Sequence, residues 1–188
     1  MIWPLLALLA VGCTEYGLKS PDGGAPPARR DDTGGPPVGG EDSGTGDACW
    51  EPEDGYSTNP AARLVMNGDG PITVSLVLSD TSYRDTLWID SPVATGLWDA
   101  WTTPMGSAVT LGPFGREQEV VFAVQVQDTG MHWQSGPASR NSDGVVHGAV
   151  SYEGDCSWLM GFEDLTGGGD LDYNDVVMRV QGDMRQEG

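Results

Sequence analysis

Apolar and polar residues alternate with period two along Ile72-Thr73-Val74-Ser75-Leu76-Val77-Leu78, which gives an extended chain one apolar and one polar face. That pattern predicts a half-buried strand. Glu119 to Val126 is denser in β-branched and aromatic residues and predicts a more central strand. Shorter strands are expected over Arg63 to Met66, Thr86 to Ile89, Val145 to Tyr152, Ser157 to Phe162 and Asp175 to Val180. Turn signals separate them at Asn67-Gly68-Asp69-Gly70-Pro71, Gly112-Pro113-Phe114-Gly115 and Ser142-Asp143-Gly144. No window carries a helical stripe, and no internal repeat suggests a solenoid or propeller. Many short strands at this spacing predict an all-β domain, an antiparallel β-sandwich of jelly-roll-like kind, over residues 48–184. About 135 residues suffice for one core.

The N-terminal quarter has a different character. Met1 to Val11 is apolar, and Ala10-Val11-Gly12 places small residues directly before Cys13. This resembles the lipobox of bacterial lipoproteins, which implies a signal peptide over 1–12 and acylation of Cys13. The stretch is too short to span a bilayer. From there to residue 47 the chain is Gly, Pro, Asp, Ser and Thr with few large apolar residues, so residues 13–47 are expected to form a disordered tether. A flexible coil of that length spans roughly 30 Å. Export to the outer membrane or cell surface is the expected localisation, with the lipid bilayer as first partner through acylated Cys13. An oxidising compartment leaves Cys49 and Cys156 as a candidate disulfide, although spacing alone leaves open whether the two thiols meet.

Charge narrows the function. The chain has 28 acidic residues against 9 basic ones, a formal net charge of -19. Phosphate backbones would be repelled by such a surface, which argues against nucleic acid as a partner and against attachment to anionic lipid through a basic patch. The acidity concentrates between Gly161 and Val177. There Glu163, Asp164, Asp170, Asp172 and Asp175 join the Asn174 amide around Gly167-Gly168-Gly169. Carboxylates this close repel unless a cation sits among them. All candidate ligands are hard oxygens, without histidine or cysteine, so the expected cofactor is calcium. Asp170-x-Asp172-x-Asn174 matches the first EF-hand ligand positions. However, Asp175 stands where that loop needs glycine, Gln181 where it needs the bidentate Glu, and the flanking elements read as strands.

The run Gly161-Phe162-Glu163-Asp164-Leu165, then glycines, then Asp170-x-Asp172-Tyr173-Asn174-Asp175-hydrophobic resembles the C-terminal signature of the bacterial domain of unknown function 4114. Asn141-Ser142-Asp143-Gly144-Val145-Val146-His147 is similar to an upstream pattern of that family, Glu119 to Val126 to its central strand, and Tyr83 to Leu87 to a segment before it. The resemblance covers about residues 118–182 well. It implies an extracellular, calcium-binding β-domain with no established catalytic role. Asn141, Asp143 and His147 are candidates to support the ion's ligands from behind.

The expected function is therefore a surface-tethered lipoprotein whose calcium-binding β-sandwich acts as a structural or adhesion module, not an enzyme. One alternative is a carbohydrate-binding module, in which Trp98, Trp101 and Trp133, in segments of loop character, stack on a surface glycan. A weaker one is a calcium-dependent glycoside hydrolase pairing Glu163 with an aspartate. Calcium would hold those carboxylates ionised, which removes the raised pKa that a general acid needs.

Overall fold

The computed structural model describes residues 49–52 and 58–188. The signal segment, Cys13 and the tether expected over 13–47 lie outside the described residues. The strands in chain order are β1 (Asn59–Pro60), β2 (Arg63–Met66), β3 (Gly70–Ser79), β4 (Asp85–Ser91), β5 (Thr95–Asp99) and β6 (Ala108–Phe114). They continue as β7 (Glu119–Val126), β8 (Met131–Gln134), β9 (Gly148–Gly154), β10 (Ser157–Phe162), β11 (Val176–Gln181) and β12 (Met184–Glu187). A single 3-10 turn, Ala138–Arg140, is the only helical element among the described residues. None of these is long and apolar enough to cross a membrane as a helix.

Two antiparallel sheets pack as a sandwich. One has the order β1-β9-β10-β11-β3-β6, the other β12-β2-β7-β4-β5, with β8 on the edge of β7 that β2 also occupies. Period-two patterning decides which side chains face inward. Ile72, Val74 and Leu76 of β3 meet Trp158, Met160 and Phe162 of β10 and Val176, Met178 and Val180 of β11 in one core. The opposite sheet contributes Leu87 and Ile89 from β4 and Phe122, Val124 and Val126 from β7. The expected central role of Glu119 to Val126 holds, since β7 is flanked on both edges.

Several expectations are corrected. Gly112-Pro113-Phe114 belongs to strand β6, and only Gly115 lies in the turn that follows. β9 starts at Gly148 rather than Val145, because Asn141 Nδ2 donates to Val145 O and Asp143 Oδ1 accepts from Val145 N, which holds that stretch as a loop. Trp133 is not in a loop but in β8, fully buried. The last strand runs to Glu187, past the expected end at Met184. Cys49 and Cys156 are disulfide-bonded, with Cα atoms 5.1 Å apart. The bridge ties the entry to the domain to the β9–β10 turn, where Trp50 stacks on the buried Trp158.

Candidate functional site

The acidic run is the connection between two neighbouring strands. Phe162 at the end of β10 pairs with Val176 at the start of β11, so residues 163–175 leave and re-enter the sheet at one point. The return packs directly over β10. A Cβ on Gly161 would collide with the Tyr173 carbonyl, so only glycine admits this closure. Leu171 and Tyr173 take left-handed backbone angles, φ 64 and 55, at alternate positions. These two bends turn Asp170 and Asp172 back toward Glu163.

Glu163, Asp170 and Asp172 each offer an oxygen within 4.8 Å of the others. Asp170 and Asp172 are exposed, whereas Glu163 is 1% exposed. Its Oε1 accepts the Tyr173 N–H at 2.5 Å, and its Oε2 lies where a Cβ of Gly169 would be. Burial pushes the Glu163 carboxyl up to about 7; the Tyr173 hydrogen bond opposes this, and the charges of Asp175, Asp170 and Asp172 add to it. Burial and the Glu163 charge also raise the Tyr173 phenol. The Asn174 amide donates to Asp172, so it supports that carboxylate.

The structure divides the remaining predicted ligands from this group. Asp164 and Asp175 form a second cluster behind it: Asp175 Oδ2 accepts the Asp164 N–H at 3.0 Å, and the Thr81 hydroxyl donates to Asp164 Oδ2. Asp85, at the start of β4, completes it and was not among the sequence candidates. Burial raises the Asp85 carboxyl well above the usual range, and the charge and hydrogen-bonding proximity of Asp164 add to that, with Thr81 opposing. Asp175 is raised by burial, against the Asp164 N–H, with the Asp164 and Asp172 charges adding. A signal for Asp85 existed in the strand period: Asp85, Leu87 and Ile89 share one face, and two of the three are apolar core residues.

His147, Asp143 and Asn141 frame the site from the other side. His147 is fully buried and stacked on Trp133, with ring centroids 3.9 Å apart. Its Nδ1 donates to the Glu163 carbonyl at 2.9 Å, and its Nε2 meets Asp143 Oδ2 at 3.0 Å. The Glu163 N–H in turn donates to the His147 carbonyl at 3.0 Å. Asp143 Oδ2 also accepts the Gly167 N–H at 2.8 Å, which ties the glycine turn to the upstream loop. Burial works against the ionised Asp143, but the Gly167, His147 and Val145 hydrogen bonds outweigh it and bring its pKa to about 2. Asn141 acts one step further out, accepting from Gln134 N at 2.8 Å. Trp133 Nε1 donates to the Asp164 carbonyl at 2.8 Å. The backbone carbonyls of Glu163 and Asp164 are thus held by two buried rings stacked on each other.

Of the tryptophans considered for sugar stacking, Trp133 has no free face, Trp98 packs against the core from β5, and Trp101 stands 60% exposed. Glu163 lies under its own loop, one oxygen against the Tyr173 N–H and the other against Gly169.

A family model described as a domain of unknown function (DUF4114) matches residues 115–183, a span from the turn before β7 to the turn after β11. Searches of the curated proteins and of the solved structures gave no significant match.

Proposed function

We propose that this chain, whose residues 115–183 match the DUF4114 family model, is a calcium-stabilised β-sandwich, tethered at the cell surface through acylated Cys13 and serving as a structural or adhesion module. The observation that carries the calcium reading is the convergence of Glu163, Asp170 and Asp172 oxygens within 4.8 Å, one of them from a buried carboxylate. Three like charges at that spacing repel strongly in a partly desolvated loop, and a divalent cation converts the repulsion into attraction. The donors are all oxygens, as calcium prefers, and the irregular exposed loop suits its flexible coordination better than the strict octahedron of magnesium. The residues present therefore fit the ion. Glu163, Asp170 and Asp172 would hold it, and the Asn174 amide would orient Asp172.

The ion's role in this reading is to lock the loop. Gly161, Tyr173 and the His147–Glu163 hydrogen bonds already fold the connection back over β10. Calcium would remove the remaining electrostatic strain and hold the exposed Leu165 and Leu171 tips in one geometry, at a rim where a partner could dock. Thermal unfolding of the full chain with calcium, with magnesium and with EGTA tests this. A hundredfold excess of calcium over Kd adds about 2.7 kcal/mol, which for a domain of this size raises Tm by roughly 8–10 °C. A transition at the same temperature in calcium and in EGTA would overturn the reading.

A further inference from the structure

We infer that Asp85, Asp164 and Asp175, with the Thr81 hydroxyl, form a second site for a hard divalent cation, buried behind the loop cluster and closed by a residue outside the family match. The site uses none of the three carboxylates of the loop cluster and stands independently of it.

The decisive feature is Asp85. It is 0% exposed, and neither carboxylate oxygen accepts a well-formed hydrogen bond, the nearby Thr81 hydroxyl donating to Asp164 instead. The β4 alternation aims it inward, toward Asp164 and Thr81. A buried carboxylate without a partner is among the costliest groups a core can hold, so something must compensate it. No side-chain cation does so among the described residues. Arg63 pairs with Glu187, Arg84 with Asp99, Arg116 and Arg185 with Glu117, Arg140 with Glu119 and Arg179 with Glu153. His132 pairs with Asp90 and His147 with Asp143. Arg84, next to Asp85 in sequence, points away into its Asp99 ion pair. Asp85 instead faces the buried Asp164 carboxylate and the Thr81 hydroxyl, with the half-buried Asp175 adding its charge from further off.

Three carboxylate groups and a hydroxyl, with no nitrogen or sulfur donor, are the chemistry of calcium-class coordination. All four groups lie at or near the ends of paired strands. Thr81 and Asp85 bracket the β3–β4 link, Asp164 follows β10, and Asp175 precedes β11. A bound ion would therefore clamp a β4 residue of one sheet to the β10–β11 hairpin of the other. The competing compensation is a proton shared between Asp85 and Asp164. The two differ in what Asp85→Asn does, because an amide N–H can replace a shared proton but not a carboxylate ligand.

Equilibrium dialysis of the full chain against radioactive calcium at pH 7.5 counts the ions directly. The wild type should bind two, Asp85→Asn one, and the double variant Asp170→Asn/Asp172→Asn also one. A wild type that binds one ion, retained in Asp170→Asn/Asp172→Asn and lost in Asp85→Asn, would sustain this site while removing the loop site. An Asp85→Asn protein with the wild-type count and affinities would overturn the inference in favour of the shared proton. Should near-UV circular dichroism show Asp85→Asn unfolded, Thr81→Val, which keeps the side-chain shape, takes its place. It should weaken one of the two affinities about tenfold, and two unchanged affinities would overturn the inference equally.

Discussion

Replacing Glu163 with glutamine should stabilise the calcium-free protein, although it removes a residue proposed to bind calcium. The side chain is buried, and its carboxyl is pushed from an ordinary value of 4.5 up to about 7. Above pH 8 the folded chain must carry that charge, and a rise of this size corresponds to roughly 3 kcal/mol of lost stability. Glutamine keeps the oxygen that accepts the Tyr173 N–H but accepts it more weakly, a loss of about 1 kcal/mol. The net gain is about 2 kcal/mol, or roughly 6–8 °C in Tm. Differential scanning calorimetry of Glu163→Gln and wild type in EGTA at pH 8 measures it. Added calcium should then raise the wild type more than the variant, by the contribution of the loop site. A variant less stable than wild type in EGTA, or calcium-induced rises of equal size, would refute the electrostatic account of this loop.

Stability without calcium should depend on pH in a direction the carboxylates fix. The raised folded pKa values of Glu163, Asp85 and Asp175 mean that their stabilising protonation is complete below the unfolded values near 4 and is lost as pH rises through about 6 for Asp175 and about 7 for Glu163 and Asp85. In EGTA, Tm should therefore fall between pH 5.5 and 8, and calcium should abolish that fall; a flat profile in EGTA would contradict it. Asp143 works in the opposite sense, because its pKa of about 2 keeps stability above pH 4 and surrenders it only on further acidification. Gly161→Ala should cost about 3 kcal/mol and weaken calcium binding together with it, since the new methyl displaces the Tyr173 carbonyl; an alanine variant of wild-type stability in urea titration would show that the loop does not close on β10. Cys49→Ser/Cys156→Ser opens a link across a sequence separation of 107 and should lower stability by up to roughly 4–5 kcal/mol; denaturant midpoints unchanged by the substitution or by reductant would contradict the bridge.

The core strands were legible in two ways. β3 buries alternate apolar side chains, whereas β7 and β10 are dense apolar runs buried along almost their whole length, and all three are read from the chain almost to the residue. The strands not expected from the sequence, β1, β5, β6, β8 and β12, lie at sheet edges, where stability comes from pairing rather than from their own pattern. β6 exposes much of its length and contains Gly112-Pro113, which read as a turn until β3 supplies its hydrogen-bonding partner. The acidic run was visible as composition, but its division was not. Glu163 and Asp164 are neighbours in an extended stretch, so their side chains diverge, one to the loop cluster and the other to Thr81 and Asp85. Nothing local to residues 161–177 shows that Asp85, some eighty residues upstream, closes the second group. The pairing of β4 with β7 brings it there.

The central claim is that a hard divalent ion sits between Glu163, Asp170 and Asp172. Crystals of the full chain grown in calcium, with anomalous data collected at long wavelength, test it most directly. The account predicts an anomalous peak about 2.4 Å from oxygens of those three carboxylates. Well-ordered density for the loop with no peak among them, at saturating calcium, would contradict it.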